Sequence, residues 1–346
     1  MIICDATRQS ADGDWSIMVD HTKSNHKYLV IKAKGGMGNR MLCAVTGMVY
    51  GELTGRRTVV DWRDETYSND SSNVFARFFS CPNVFSESIL PPESTVRPSI
   101  WADKLDWSVA SMIEQYDPDK HSSILIHRKY SVDVRGIDYD EDILVFWYYT
   151  QRMRALRGHL RHGESQFVGL SDKQVIRKVL LERMHLHNDV QQRIADFKAR
   201  YWQHPVIGVH IRHTDLRTNL AQYERHLRRV LEGVPDACIF LATDNRQVNE
   251  DYRKQFKNVI STQKWFPDEM SSMHQNPSCS DRAANGIEAL VDMYLLADCD
   301  YLIYAGASTF SWVARLLSNL PPNRVIDIER FSPTVRLKRL IRELIA

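Results

Sequence analysis

The sequence contains no Cys-x-x-Cys pair, no Cys/His cluster at zinc-ligand spacing, no run of about 18 apolar residues, and no surplus of charge of one sign. Each absence removes a class of protein. Six cysteines (Cys4, Cys43, Cys81, Cys238, Cys279, Cys299) are scattered, and Cys43, Cys238 and Cys299 fall within apolar periodic segments. A free thiol packs there as a small hydrophobe, which fits a reducing compartment. The opening residues "MIICDATRQSADGDW" lack the charged-then-apolar pattern of a signal peptide, and no apolar run is long enough to span a bilayer, so a cytoplasmic protein is expected. The formal net charge of +2 gives no basic field that would argue for nucleic acid. The phosphate-binding fingerprints G-x-G-x-x-G and Gly-Lys-Ser/Thr are missing too.

What remains is a globular chain of 346 residues with 43% hydrophobic and 25% charged residues, large enough for two domains. "YLVIKA" (28–33) reads as a buried strand running into the turn-former cluster "KGGMGNR" (34–40). Met41, Leu42, Val45, Met48, Val49 and Leu53 then mark one face of a helix, and Thr58 to Trp62 restores a strand. This is a strand, glycine turn, helix, strand unit of the parallel α/β kind. Residues 64–120 give no clear elements; "SSILIH" (122–127) and "DILVFWYYT" (142–150) predict strands, and 151–200 is helical and basic. The second half alternates more regularly, with strands at 206–211, 237–243, 258–261, 301–305 and 324–328, a long loop at 262–282, and a closing amphipathic helix through Val335 and Leu344. The division expected is an N-terminal α/β domain over 1–200, a Rossmann-like domain over 201–330, and a C-terminal helix over 331–346 packing back on both, with a cleft between the lobes.

"VIGVHIRHTD" (206–215) begins as a core strand and ends in two imidazoles, a guanidinium and a carboxylate. Ligands of open parallel sheets bind beyond the carboxyl ends of the strands. Three such ends carry polar groups here: 210–215, then Asp244 and Asn245, then Ser308 and Thr309. Taken singly, Asp244 reads first as a helix N-cap, and Ser308 reads equally well as an N-cap or a ligand-binding group. Arg212 is harder to explain that way, because an unpaired charge on an apolar strand costs several kcal/mol, on the order of the buried-ion penalty. Its planar fork suits a phosphate. The alternative is an internal ion pair with Asp215 or Asp292. His210 shares the Arg212 face and can add a donor, whereas His213 points the other way. In "GGMGN", Gly36 and Gly38 permit close approach, and the following helix offers free N–H groups that could receive an anion. "DYDED" (138–142) holds a carboxylate pair of metal-binding type but reads as a solvated turn. "RMRALRGHLRH" (152–162) reads as a solvated basic helix face, with contact to an anionic substrate or to the inner face of a membrane as the other readings.

The segments "KGGMGNRMLCAV", "VVDWR", "VIGVHIRHTD", "FLATDN" and "DMYLLADCDYLIYAGASTFSWVARLL" occur in that order. Together they resemble the nodulation-protein-Z type of α1,6-fucosyltransferase and its core α1,6-fucosyltransferase relatives, with a weaker likeness to α1,2-fucosyltransferases. The resemblance runs from about residue 28 to 318 and is thin between 65 and 180. It implies a GT-B glycosyltransferase with two Rossmann-like lobes, which transfers fucose from GDP-fucose, with inversion, to a glycan or glycolipid hydroxyl and needs no metal or other cofactor. By position, Arg212 would match the arginine on the donor's β-phosphate and His210 the histidine beside the nucleotide. Asp292 would match the carboxylate that reads guanine N–H groups. Ser308 and Thr309, with Phe310 beside them, would match the helix N-terminus at the diphosphate. Gly36, Gly38 and Asn39 would face this site across the cleft, and Asp244 would stand at its edge. Core-type enzymes carry a glutamate a few residues past the H-x-R-x-x-D segment; here Leu220 stands near that place. Asp215 and then Glu224 are the candidate bases. A different nucleotide sugar, or a non-catalytic nucleotide- or glycan-binding module, are the alternatives.

Overall fold

The computed structural model describes residues 26–333 except 86–89, 122, 124, 162–165, 215–217, 268–275 and 277, together with 335 and 337. In chain order its first part holds β1 (Tyr28–Lys32), α1 (Met37–Thr54), β2 (Arg57–Asp61), α2 (Phe75–Phe78), β3 (Phe79–Ser80), β4 (Val84–Phe85), β5 (Val96–Arg97), α3 (Val109–Tyr116), α4 (His127–Tyr130), β6 (Ile143–Phe146), α5 (Met153–Leu160), α6 (Asp172–Glu182), β7 (His185–Leu186) and α7 (Asn188–Tyr201). The second part holds β8 (Val206–Ile211), α8 (Leu220–Gly233), β9 (Cys238–Thr243), α9 (Arg246–Gln255), β10 (Val259–Ile260), α10 (Arg282–Ala297), β11 (Tyr301–Tyr304), α11 (Thr309–Leu317) and β12 (Val325–Asp327).

Ten of the twelve described strands form two five-stranded sheets, ordered β4-β2-β1-β6-β5 and β10-β9-β8-β11-β12, in which every pairing is parallel, and β3 and β7 form a small antiparallel pair. This is the two-sheet Rossmann-like arrangement of GT-B enzymes. Parallel strands covered by helices on both faces are apolar throughout, and β1, β6, β8 and β9 are buried at every position. In each sheet the order reverses at one point, between β1 and β6 in the first and between β8 and β11 in the second. Crevices form at such reversals, because the connections on either side leave in opposite directions.

α1 starts after Gly36 and stops where Gly55 turns left-handed at φ +64°. The expected face, Met41, Leu42, Val45, Met48 and Val49, is buried, but so is nearly every other residue from Met37 to Gly51, so α1 is buried almost all round rather than on one side. α7 packs across the expected border at residue 200: Phe197 lies edge-on to Phe240 of β9, and Lys198 pairs with Asp298.

Among the described residues of 122–127, the expected strand is absent. Residues 125 and 126 form a turn and His127–Tyr130 a short helix, while Val96–Arg97 pairs with β6 at that edge. The apolar run at 124–126 suggested alternation, yet Leu125 is exposed while Ile126 and Tyr130, four residues apart, are buried. That is helical spacing. Tyr130 is held there by its carbonyl, which accepts from Trp101 Nε1 at 2.8 Å, and by its hydroxyl, which donates to Asp117 at 2.6 Å. "DYDED" is a tie at the start of β6: Asp142 accepts from Thr95 N and Oγ1, each at 2.8 Å, and Glu141 pairs with Arg97.

Candidate active site

The two strand-order reversals open onto one cavity of about 320 Å³, within the range of small-molecule sites. Residues 34–39 and Tyr149 enter it from the first sheet, and His210, Arg212, Asp244, Asp292, Thr309 and Phe310 from the second.

Two helix N-termini meet here. Modelling a Cβ on Gly38 puts it 2.7 Å from the Thr309 and Phe310 backbone, so only glycine lets α1 approach α11 this closely. Neither helix has an acidic residue in its first turn, and neither Gly36 nor Ser308 caps its helix through a side chain. Apart from the Met37 N–H, which Tyr67 takes, first-turn N–H groups and two positive dipole ends therefore adjoin one cavity, a ready anion site. Two buried oxygens beside it have no partner among the described residues, Asn39 Oδ1 and Ser308 Oγ. Ser308 thus occupies the N-cap position without capping. The turn that sets α1 is held from below. Arg40 is wholly buried, donates from Nε to Gly35 O at 2.7 Å and pairs with Asp64, while Tyr67 Oη accepts the Met37 N–H at 2.9 Å.

His210 lies flat against Phe310, ring centroids 4.8 Å apart, with Nδ1 2.5 Å from Ser311 Oγ. Burial, aided by the nearby Arg212 and Lys264 cations, pushes its pKa down to about 3. The imidazole is therefore neutral at physiological pH. Ser311 fixes one ring nitrogen and leaves Nε2 for a ligand. Arg212 is half-buried in the cavity wall, and its carbonyl accepts from Thr218 Oγ1 at 3.0 Å.

Asp292 is buried on α10 with both oxygens engaged: Thr262 Oγ1 donates to Oδ1 at 2.6 Å, and the Lys264 ammonium pairs with Oδ2. Asp244 is no N-cap; Asn245 accepts from Val248 N, whereas Asp244 accepts from His213 N at 2.7 Å and Thr214 Oγ1 at 2.6 Å, pinning the end of β8 to the end of β9. Glu224 is not part of the site. Its carboxylate accepts from Gln255, the last residue of α9, about 15 Å along that helix from its cavity end at the usual rise. Asp215 lies outside the described residues.

Sequence reasoning missed Thr262, Lys264, Ser311 and Glu288. Glu288 sits one turn before Asp292 and lines the cavity; burial raises its pKa, against the opposing pull of the Trp265 N–H and Lys264. A lysine in a featureless loop gives no signal until folding sets it beside a carboxylate. Glu288 had a weak one, the i, i+4 spacing to Asp292. In the basic stretch, Arg157 pairs with Asp172, and Arg152 Nη1 is 2.7 Å from His127 Nε2. No helix among the described residues is long and apolar enough to cross a membrane.

Residues 167–341 match the model of the family described as Nodulation protein Z (NodZ). The Nodulation protein Z of Bradyrhizobium diazoefficiens is 24% identical over 331 residues, covering 90% of this chain and 83% of that one. The crystal structure of the fucosyltransferase NodZ from Bradyrhizobium superposes with a TM-score of 0.55 at 21% identity, over 85% of this chain and 94% of that one. A NodZ alpha-1,6-fucosyltransferase soaked with GDP-fucose gives 0.53 at 21%, over 85% and 93%. These likenesses agree with the two-sheet fold. With half of its length matched by the family model, the chain belongs to the Nodulation protein Z family.

Proposed function

We propose that this chain is an inverting fucosyltransferase that takes GDP-fucose as donor and a glycan or glycolipid hydroxyl as acceptor. The observation that carries the reading is the meeting of Arg212 and the N-termini of α1 and α11 at one cavity. Cleaving a sugar–phosphate bond leaves extra negative charge on the departing diphosphate. A guanidinium and fixed N–H dipoles, already oriented where that charge grows, stabilise it without a divalent cation. Neutral His210 adds a hydrogen bond and, with Phe310, a flat apolar surface.

Guanine fits the inner end of the site. One edge of that base offers two N–H donors and one carbonyl. Asp292 accepts from the donors, and Lys264 turns its ammonium from Asp292 to the carbonyl. Adenine offers a donor where Lys264 needs an acceptor, and uracil sets a second carbonyl against Asp292 where guanine has its amino group. The NodZ alpha-1,6-fucosyltransferase soaked with GDP-fucose supports a guanine nucleotide as donor. The acceptor lies on the side of the first sheet, where Lys34 and Tyr149 border the cavity. Its hydroxyl gives its proton to Asp215 or to Glu288. A raised pKa makes Glu288 a stronger base than an exposed carboxylate.

The test is turnover of GDP-fucose in the presence of EDTA. Release of GDP at an undiminished rate supports the reading; a strict requirement for added Mn²⁺ sinks it. Stabilisation by UDP but not by GDP in a thermal-shift assay removes the guanine assignment and leaves another nucleotide sugar as donor.

A further inference from the structure

A second groove, of about 420 Å³, lies at the β10 edge of the second sheet and shares no lining residue with the first cavity. α7 covers one side and α9 the other. Arg193, Phe197, Arg200 and Tyr201 recur along one face of α7, and Arg253 comes from the last turn of α9. All three arginines are exposed. Among the described residues none of them pairs with a carboxylate; Arg253 donates only to Ser261 Oγ, at 2.6 Å. The lone carboxylate in the lining, Asp196, accepts from Gln192 at 2.8 Å.

We propose that this groove is a binding site for a phosphorylated monosaccharide. Three guanidiniums gathered in one groove repel one another; Arg193 also bears electrostatically on Glu288 of the first cavity, but the single carboxylate of the lining leaves a local surplus of two positive charges. A phosphomonoester carries close to two negative charges near neutral pH. Its tetrahedral oxygens, taken two at a time, suit the planar guanidinium forks from α7 and α9 at once. Tyr201, 49% exposed, offers a ring face beside them, which a sugar can cover. β10 pairs with β9 alone, so the outer backbone groups of Val259 and Ile260 are open to a ligand's hydroxyls. The groove also stands behind the donor cavity. Ser261 and Gln263 line it, while Thr262 and Lys264, alternating with them along the same segment, hold Asp292. An occupant therefore bears on the segment that sets the inner end of the other site.

Calorimetric titration of ribose 5-phosphate into the full chain tests this, with inorganic phosphate as a second titrant. The double variant R193Q/R200Q should bind ribose 5-phosphate at least tenfold more weakly while melting at the parent's temperature. Inorganic phosphate should bind the parent more weakly than ribose 5-phosphate does. Equal binding by parent and variant, which places the ligand in the first cavity, overturns the proposal. So does equal affinity for the two titrants, which removes the ring contact. Co-sedimentation of the parent but not the variant with phosphatidylglycerol vesicles, without ribose 5-phosphate binding, overturns it in favour of a lipid surface. None of these outcomes depends on the donor being GDP-fucose.

Discussion

His210 illustrates how burial fixes the form in which a side chain acts. Its folded pKa of about 3 lies below the ordinary value of about 6.5. Below pH about 6.5 the unfolded chain takes up a proton that the folded one refuses, so this residue favours unfolding progressively as pH falls toward 3. Its contribution is neutral above that window. His210→Asn, which has no titrating group, should flatten the acid side of the melting-temperature profile between pH about 7 and 4.5. A profile of unchanged slope would mean the imidazole is more hydrated than its surroundings imply. Arg212 belongs to the same scale. Replacing it with Ala should lower turnover by about 10²–10³-fold. Lys should restore little, since a point charge cannot replace a planar fork. Steady-state GDP release from GDP-fucose measures both. Before folding, Arg212 and His210 were legible because charge at the end of an apolar strand is costly. Thr262 and Lys264 were not, since their meaning arises only when Asp292 comes within reach of both.

Among the elements, the turn before α1 is the one whose support can be taken apart. Asp64→Asn leaves the wholly buried Arg40 guanidinium without its counter-charge. Removing one partner of such a pair costs about 3–5 kcal/mol, which a denaturant titration reads directly. Gly38→Ala forces a methyl group against the Thr309–Phe310 backbone. Overpacking of that kind costs about 1–3 kcal/mol, and since it moves both helix N-termini, GDP affinity should fall together with stability. Retained GDP affinity would show that the nucleotide does not use that junction. The elements of the second sheet could be read in advance because β8, β9 and β11 are continuous apolar runs bounded by turns. Residues 64–120 could not. Their strands are two residues long, and other parts of the stretch are held by distant groups, as the Leu105 and Trp107 carbonyls are by the Lys32 ammonium, the latter at 2.9 Å. No local period records a bond across 75 positions. The misread strand at 122–127 has the same origin, because a three-residue apolar run does not tell period two from period four.

For the molecule as a whole, the cavity draws on both sheets, so a ligand there should stabilise both against unfolding together. At 100 times its Kd, a ligand that binds only the folded state adds about 2.7 kcal/mol. GDP should therefore raise the melting temperature of a single transition rather than split it in two, as differential scanning calorimetry would show. The two-sheet architecture and its cleft were readable from the alternation of strands and helices. The border near residue 200 was less so, since α7 follows the first sheet in sequence yet packs on Phe240 of the second.

The abutment of α1 and α11 at Gly38 has a mechanical consequence. Each helix start carries about half a positive charge, so the two repel each other across the joint. A bound diphosphate turns that push into a shared pull, and the nucleotide serves as mortar as well as leaving group. Product departure then loosens the joint by itself: small-angle scattering should record a larger radius of gyration for the empty chain than for the GDP complex, with the difference shrinking as salt is added.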